Sequence, residues 1–197
     1  MLNNDMEKFV INLLLENLPG TYFYHNHQHT LYVMANAERI GSHEGVTEKE
    51  MQLIKAAALW HDTGYILTYV GHEHESCLLA KKQLPAFGFT DADITKICGM
   101  IMATMVPQDP HNKLENIIAD ADLEYLGTPQ AAEIAHQLFM ELQTVYPALT
   151  EKEWNKSQFS FIKEHHYFTD YCKQTNEPQK QLYLEEVKRL VQEEEHQ

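Results

Sequence analysis

The sequence predicts a single all-α domain, a bundle of about eight to ten helices. Apolar residues recur at helical spacing along most of the 197-residue chain. Helix-start signals are frequent, because Thr47-Glu-Lys-Glu50 and Thr150-Glu-Lys-Glu153 both have the form of a capping box. No segment combines period-two alternation with hairpin turn residues, so no β-sheet is expected.

The first five helices follow from apolar periodicity and from end signals. They are expected over about residues 9–18, 26–44, 47–61, 73–84 and 90–106. Pro19-Gly20 ends the first helix, Thr47 caps the third, and Thr90 caps the fifth. On a helix that starts near Asn26, His25 and His29 would share a face and His27 would point the opposite way.

The second half of the chain continues the helical pattern after a loop over residues 107–112. Helices are expected over about residues 114–126, 128–146, 152–173 and 178–195. Gly127 breaks the first of these, Pro129 lies in the first turn of the next, and Pro147 ends it. We therefore expect one domain over residues 1–197, with a core over about 22–127 and a helical extension over about 128–197.

Composition limits the class of partner. The chain is 44% hydrophobic, and its acidic residues exceed its basic ones to give a formal net charge of −14. Such a surface repels nucleic-acid polymers and anionic membranes, and with only two arginines, Arg39 and Arg189, the chain has no arginine cluster to bind a long polyanion. A small phosphorylated substrate can still bind where a metal ion offsets its charge. The sequence leaves open whether two copies form a homodimer.

A cytoplasmic location is expected. No apolar run reaches the roughly 18 residues of a membrane-spanning helix, and the N-terminal residues lack the cationic start of a signal peptide. The three cysteines are widely spaced and form no Cys-x-x-Cys pair, so a thiolate zinc site is not expected.

His29, His61 and Asp62 are candidate metal ligands. His29 precedes apolar residues at helical spacing (33, 37 and 40), and an apolar stripe over residues 54–58 leads to His61, so both imidazoles are predicted to face the core. A buried imidazole needs a partner, which is either a metal ion or a backbone carbonyl. Asp62 follows at the helix end, where a bend lets adjacent side chains converge.

The acidic pair Asp120 and Asp122 offers a further ligand. Asp122 lies one turn after Ile118 and one turn before Leu126, so it is the one predicted to face inward, and Asp120 is expected beside the site. Two imidazoles and two carboxylates suit one divalent ion such as Mn, Fe, Co, Ni or Zn, and suit Mg less well.

The order of these residues on a helical scaffold resembles the signature of the HD-domain metal-dependent phosphohydrolases: first His29, then the His61-Asp62 doublet, then Asp122. The resemblance spans about residues 22–127 and includes Tyr24-His25-Asn26-x-x-His29, which is similar to a motif of cyclic-nucleotide phosphodiesterases. It implies an HD-domain-like helical bundle and a metal ligand at His29. It also implies that His25 donates a proton to the leaving group.

The resemblance has one departure that bears on metal content. Two-metal members carry two further histidines between the doublet and the last aspartate. His72 could match the first of them, but no histidine stands near residues 101–104, so one metal ion is favoured. His72 and Glu73 are then expected to contact the substrate, and Lys81 could contact its phosphate.

The implied activity is hydrolysis of a phosphate mono- or diester of a small substrate, which could be a nucleotide, by metal-activated water. In this scheme His25, Asp62 and His72 are the catalytic candidates. Two alternatives stay open: a non-catalytic, metal-containing domain that senses nucleotides, and an iron-dependent oxygenase on the same scaffold. The sequence does not identify the substrate or the metal.

Overall fold

A computed structural model describes residues 4–195. Over these residues the chain forms ten α-helices and three short 3-10 helices, with no β-strand. The predicted all-α class is therefore confirmed. The α-helices are α1 (Asn4–Asn17), α2 (His27–His43), α3 (Glu48–Trp60), α4 (His72–Gln83), α5 (Asp91–Met102), α6 (Lys113–Asp122), α7 (Ala131–Val145), α8 (Glu151–Glu164), α9 (Asp170–Thr175) and α10 (Glu177–Glu195).

The helix starts agree with the local signals in the sequence. Capping boxes at Thr47, Thr90 and Thr150 begin α3, α5 and α8, in each case with the hydroxyl accepting from a backbone N–H three residues on. The side chain of Asn26 caps α2, so this helix begins at His27. His25 precedes the cap, and the prediction that it lies on a helical face is wrong.

Several other boundaries differ from the prediction: α1 begins at Asn4 and not near residue 9, and α5 ends at Met102 and not near residue 106. The expected helix over residues 114–126 ends as an α-helix at Asp122, and a 3-10 turn over Glu124–Gly127 replaces its last turn. The expected helix over residues 152–173 is two helices, α8 and α9, separated by residues 165–169. This gap contains Tyr167, which is buried and points its hydroxyl at the backbone carbonyls of Leu123 and Glu124.

The main hydrophobic core surrounds α3, whose residues 56–60 are completely buried. Helices α2, α5 and α6 pack against α3, and α4 packs against α5. Because the C-terminal half of α3 is enclosed, its alanines allow close helix approach, and the side chains at its end are directed into the interior. The doublet His61-Asp62 follows immediately after this buried helix.

The C-terminal helices form a second, smaller core against the first part of the chain. Tyr24, Tyr125 and Leu126 pack there with Ile162 of α8 and Tyr183 of α10. The contact is close, because a Cβ added to Gly127 would lie 2.5 Å from the Cβ of Asn176. The extension therefore covers one face of the segment that carries Asp122.

None of the described helices is long and apolar enough to cross a membrane.

Candidate metal centre

Four predicted ligands converge beside a cavity; Asp62 and Asp122 are part of its lining, and His29 and His61 are not. His29 comes from the first turn of α2, His61 and Asp62 follow the end of α3, and Asp122 is the last residue of α6. The His29 Nε2 atom lies 3.1 Å from Asp122 Oδ1 and 3.4 Å from Asp62 Oδ2. The His61 Nε2 atom lies 3.1 Å from Asp62 Oδ2 and 3.5 Å from Asp122 Oδ1.

This spacing fits a shared metal ion. Ligand atoms held about 2.1 Å from a tetrahedral ion lie about 3.4 Å apart, and the four nitrogen–oxygen pairs given above are spaced 3.1–3.5 Å. Donor atoms of His29, His61 and Asp122 all lie within 4.8 Å of one another, whereas Asp62 contacts the two imidazoles but is not part of this mutually close group. The donor set of nitrogen and carboxylate oxygen suits a divalent transition ion.

Two buried polar atoms support the same interpretation. His61 Nε2 and Asp62 Oδ2 are buried and lie 3.1 Å apart, but in the part of the chain that the structure describes neither atom has the geometry of a hydrogen bond with a partner. An unsatisfied buried polar atom is costly, and a metal ion is one way to satisfy it. The other ring nitrogen of His61 lies 2.8 Å from the carbonyl oxygen of Ala58, which fixes the ring with Nε2 toward the centre.

The electrostatics of the group are those of a cation site. Burial alone would lower the pKa of His61, but the adjacent Asp62 and Asp122 raise it well above its usual value. Burial would raise the pKa of Asp62, but His61 and His72 lower it well below its usual range. The pKa of Asp122 is lowered to about 2, because His29 and His61 outweigh the effect of burial. Both carboxylates are therefore ionised at neutral pH.

His72 and Glu73 begin α4 beside this group. His72 Nε2 lies 3.4 Å from Asp62 Oδ1, the carboxylate oxygen on the side away from His61, and 3.6 Å from Glu73 Oε1. The ring of His72 stacks on Tyr65 with centroids 3.8 Å apart. Both His72 and Glu73 line the cavity, and their contact with a substrate stays a prediction.

Gly64 allows α4 to start this close to the doublet. A Cβ at Gly64 would lie 1.9 Å from the carbonyl oxygen of His72, so no other residue fits without moving the backbone. The Gly64 backbone N–H also donates to the hydroxyl of Ser76, at 2.8 Å. The glycine of the His-Asp-Thr-Gly segment thus sets the distance between Asp62 and His72.

His25 is held by Glu141, a residue that the sequence analysis did not identify. The His25 Nδ1 atom lies 2.5 Å from Glu141 Oε1, and the backbone N–H groups of Tyr24 and His25 both donate to Oε2 at 2.9 Å. Tyr69 donates its hydroxyl proton to the same carboxylate, and Tyr65 stacks on the His25 ring. These partners, chiefly His25, keep the pKa of Glu141 low although burial would raise it.

Other predicted residues lie outside the centre. Lys81 is exposed near the end of α4 and is outside the cavity lining, so the structure gives it no contact with the site. His111 is exposed in the loop before α6. Asp120 is buried and accepts hydrogen bonds from the backbone N–H groups of Phe168 and Thr169, so it anchors the gap between α8 and α9.

The cavity has a volume of about 610 Å³. The polar end is formed by Asp62, Asp122, His25, His72 and Glu73. The remaining surface is mainly aromatic and aliphatic, and part of it comes from α7 and α8 of the extension. The arrangement combines a cation site, a fixed imidazole and room for an organic group.

Residues 26–124, about half of the chain, match the family described as HD domain. A crystal structure at 1.45 Å of a predicted HD superfamily hydrolase from an uncultured Thermotogales bacterium is similar in fold, with a TM-score of 0.62 and 23% identity. The alignment covers 94% of this chain and 91% of that one. No curated protein matches the chain.

Proposed function

Because this chain belongs to the HD domain family, we propose that it is a metal-dependent phosphohydrolase acting on a phosphate mono- or diester of a small substrate. One observation carries the proposal: His29, His61, Asp62 and Asp122 converge beside a cavity whose lining includes both carboxylates. Among these ligand atoms, His61 Nε2 and Asp62 Oδ2 are buried 3.1 Å apart without hydrogen-bond geometry to any described group. The crystal structure of similar fold belongs to a protein described as a hydrolase, which agrees with this proposal.

The four residues would hold one divalent ion. When bound, such an ion supplies a water molecule activated for attack and offsets negative charge on phosphoryl oxygens. The hydrogen bond between His61 Nδ1 and Ala58 keeps the ring in the orientation needed for binding. Asp62 contributes one oxygen toward His61 and the other toward His72, so it links the cation site to the substrate side of the cavity.

His25 is placed to act on the leaving group. It borders the cavity near Tyr65 and His72, and Glu141 fixes its ring from behind through Nδ1. The Nε2 atom lies 3.0 Å from the Tyr65 hydroxyl, within reach of the cavity. A protonated imidazole held in this way can donate a proton to a departing oxygen, which lowers the barrier to ester cleavage.

The proposal is tested by turnover. The purified protein, stripped of metal and reloaded with Mn²⁺, Co²⁺, Ni²⁺, Zn²⁺ or Mg²⁺, is assayed against p-nitrophenyl phosphate, bis(p-nitrophenyl) phosphate, nucleoside monophosphates and cyclic nucleotides. We expect metal-dependent release of phosphate or of the alcohol, and loss of it in His61→Ala. Nucleotide binding without turnover would support a sensor instead, and oxygen consumption with iron would support an oxygenase.

A further inference from the structure

Part of the wall of the cavity is one face of α8. Trp154, Ser157, Gln158 and Phe161 all line the cavity, and their spacing of three, four and seven residues places them on the same side of the helix. Gln158 is held by the hydroxyl of Tyr183 in α10. Trp154 stacks on Phe139 of α7, with ring centroids 5.8 Å apart.

This wall lies outside the part of the chain that matches the HD domain family. The match ends at residue 124, whereas α8 covers residues Glu151–Glu164. The four proposed ligands therefore lie within the matched segment, and the α8 part of the cavity wall is supplied by the extension. A substrate bound at the cation site would place its organic group against α8.

Aromatic rings dominate the cavity. Six of its lining residues are aromatic: Tyr24, Tyr65, Tyr69, Tyr125, Trp154 and Phe161. Leu126 and Leu138 add aliphatic surface beside Trp154. Rings in such a setting bind another ring by offset or edge-to-face contact and exclude water from it. The surface thus favours a flat, apolar organic group.

The charges in the cavity restrict the number of phosphates. Among the described residues, those lining the cavity include three carboxylates, Asp62, Glu73 and Asp122, but no lysine or arginine. A phosphate at the cation site can be neutralised there, while a second phosphate directed toward α8 would meet no cation. An unpaired charge in such an environment is strongly disfavoured, and the net charge of −14 adds to the repulsion.

We propose that the substrate carries a single phosphate and an uncharged aromatic group, and that the α8 face with Trp154 and Phe161 selects that group. The proposal rests on the proposed function, because it places the phosphate at the cation site. Aryl phosphates and nucleoside monophosphates share this chemistry. Nucleoside di- and triphosphates, and small phosphates without a ring, are disfavoured.

Binding of phosphonates tests the selectivity without turnover. The metal-loaded protein is titrated with benzylphosphonate and methylphosphonate in a calorimeter. We expect benzylphosphonate to bind at least tenfold more tightly. Trp154→Ala and Phe161→Ala should remove most of this preference, while Trp154→Phe should keep most of it. Ser160→Ala, on the exposed side of α8, is the matched control and should bind like the wild type.

Tryptophan emission locates the bound ring. The chain has two tryptophans; Trp60 is fully buried in the main core, and Trp154 lines the cavity. Benzylphosphonate should change the emission of the wild type and leave that of Trp154→Phe unchanged. Equal binding of the two phosphonates, or an unchanged preference in Trp154→Ala that retains its helical circular dichroism, would overturn the proposal.

Titrations with AMP and ADP show whether the aromatic group belongs to a nucleotide or to an aryl ester, and whether a second phosphate is tolerated. Tighter binding of AMP than of benzylphosphonate would identify a nucleoside monophosphate, and the reverse an aryl ester; tighter binding of ADP than of AMP would overturn the single-phosphate limit. Failure to hydrolyse any ester would refute the proposed function, whereas hydrolysis without ring selectivity would refute only this inference.

Discussion

At the scale of single residues, the candidate metal centre depends on the orientation of two atoms, Nε2 of His61 and Oδ2 of Asp62. His61 Nε2 and Asp62 Oδ2 are buried and lie 3.1 Å apart, and neither atom has the geometry of a hydrogen bond with any described residue. Asp62 also has a second oxygen 3.4 Å from His72. These two adjacent residues therefore connect the cation site with the open part of the cavity.

Metal binding is expected to release a proton. Without a metal the pKa of His61 is well above its usual value, because Asp62 and Asp122 outweigh the effect of burial, so the ring is protonated at neutral pH. Only the neutral ring binds a metal ion, so affinity should fall roughly tenfold for each unit of pH below neutrality. Calorimetric titration with Mn²⁺ in two buffers of different ionisation enthalpy measures the protons released.

His111→Gln is the control for that titration, because His111 is exposed and outside the centre. It should release as many protons as the wild type. A metal affinity that does not vary between pH 6 and pH 8 would contradict the assignment of His61 as a ligand.

Glu141 is expected to act by positioning His25. In Glu141→Gln the carboxylate that accepts from His25 and from two backbone N–H groups is lost. We expect turnover to fall roughly 10- to 100-fold for esters of aliphatic alcohols, whose leaving groups need a proton. Esters of p-nitrophenol need little protonation and should be affected far less. Metal content should stay unchanged, and an equal loss for both types of ester would argue against a role in proton donation.

Gly64→Ala tests the close approach of α4 to the doublet. The added Cβ would meet backbone atoms of His72 and Ser76 at 1.9 and 2.8 Å, so the start of α4 must move. We expect the free energy of unfolding to fall by about 1–3 kcal/mol, as measured by urea denaturation. Gly20→Ala is the matched control, because a Cβ there meets nothing within 4 Å. Equal stability of the two variants would contradict the account.

At the scale of helices, local signals predict most of the fold. The capping boxes at Thr47 and Thr150 locate the starts of α3 and α8, since a side chain within three residues satisfies the exposed N–H groups. The facing rule also separates Asp122 from Asp120. His25 was misplaced on a helix because the cap at Asn26 competes with a further turn, and the apolar pattern does not show which prevails.

Such local rules do not predict contacts between segments that are far apart in the sequence. Glu141 lies 116 residues after His25, and nothing in the local sequence pairs them. A signal was present, because Glu141 falls on the apolar stripe of α7 with Ile134 and Leu138, where a carboxylate needs a partner. Glu124 is similar: it is buried and paired with Arg39 and Asn176, so it joins α2 to the extension.

The junction between α8 and α10 is expected to weaken in acid. Burial, followed by the charge of Lys180, lowers the pKa of His165 to about 3. Between pH 6.5 and pH 3 the unfolded chain binds a proton at this residue that the folded chain does not, so folding becomes less favourable as pH falls. At pH 5 the loss is about 2 kcal/mol relative to pH 7.

His165→Gln removes this proton-linked loss. Its free energy of unfolding should therefore decline less than that of the wild type between pH 7 and pH 5, in denaturation followed by circular dichroism. His166→Gln, at the neighbouring exposed position, should decline as the wild type does. If His165→Gln and His166→Gln declined equally, the neutral buried ring would not be the cause.

At the scale of the whole molecule, two parts of the chain meet at the cavity. The segment that matches the HD domain family carries the cation-site residues, together with His72 and Glu73. Residues beyond that segment supply Glu141 and the aromatic face of α8. Fold and cation site follow from local patterns, whereas the environment of the substrate depends on how the extension folds back onto the first core.

The most direct test of the account is the metal content of the whole protein. After removal of metal, reconstitution with Mn²⁺, Co²⁺, Ni²⁺ or Zn²⁺ and desalting, inductively coupled plasma mass spectrometry should find about one ion per chain. Asp62→Ala should bind almost none while keeping the helical circular dichroism of the wild type, and Asp109→Ala, in an exposed loop, should bind normally. Full metal content in Asp62→Ala would contradict the proposed centre.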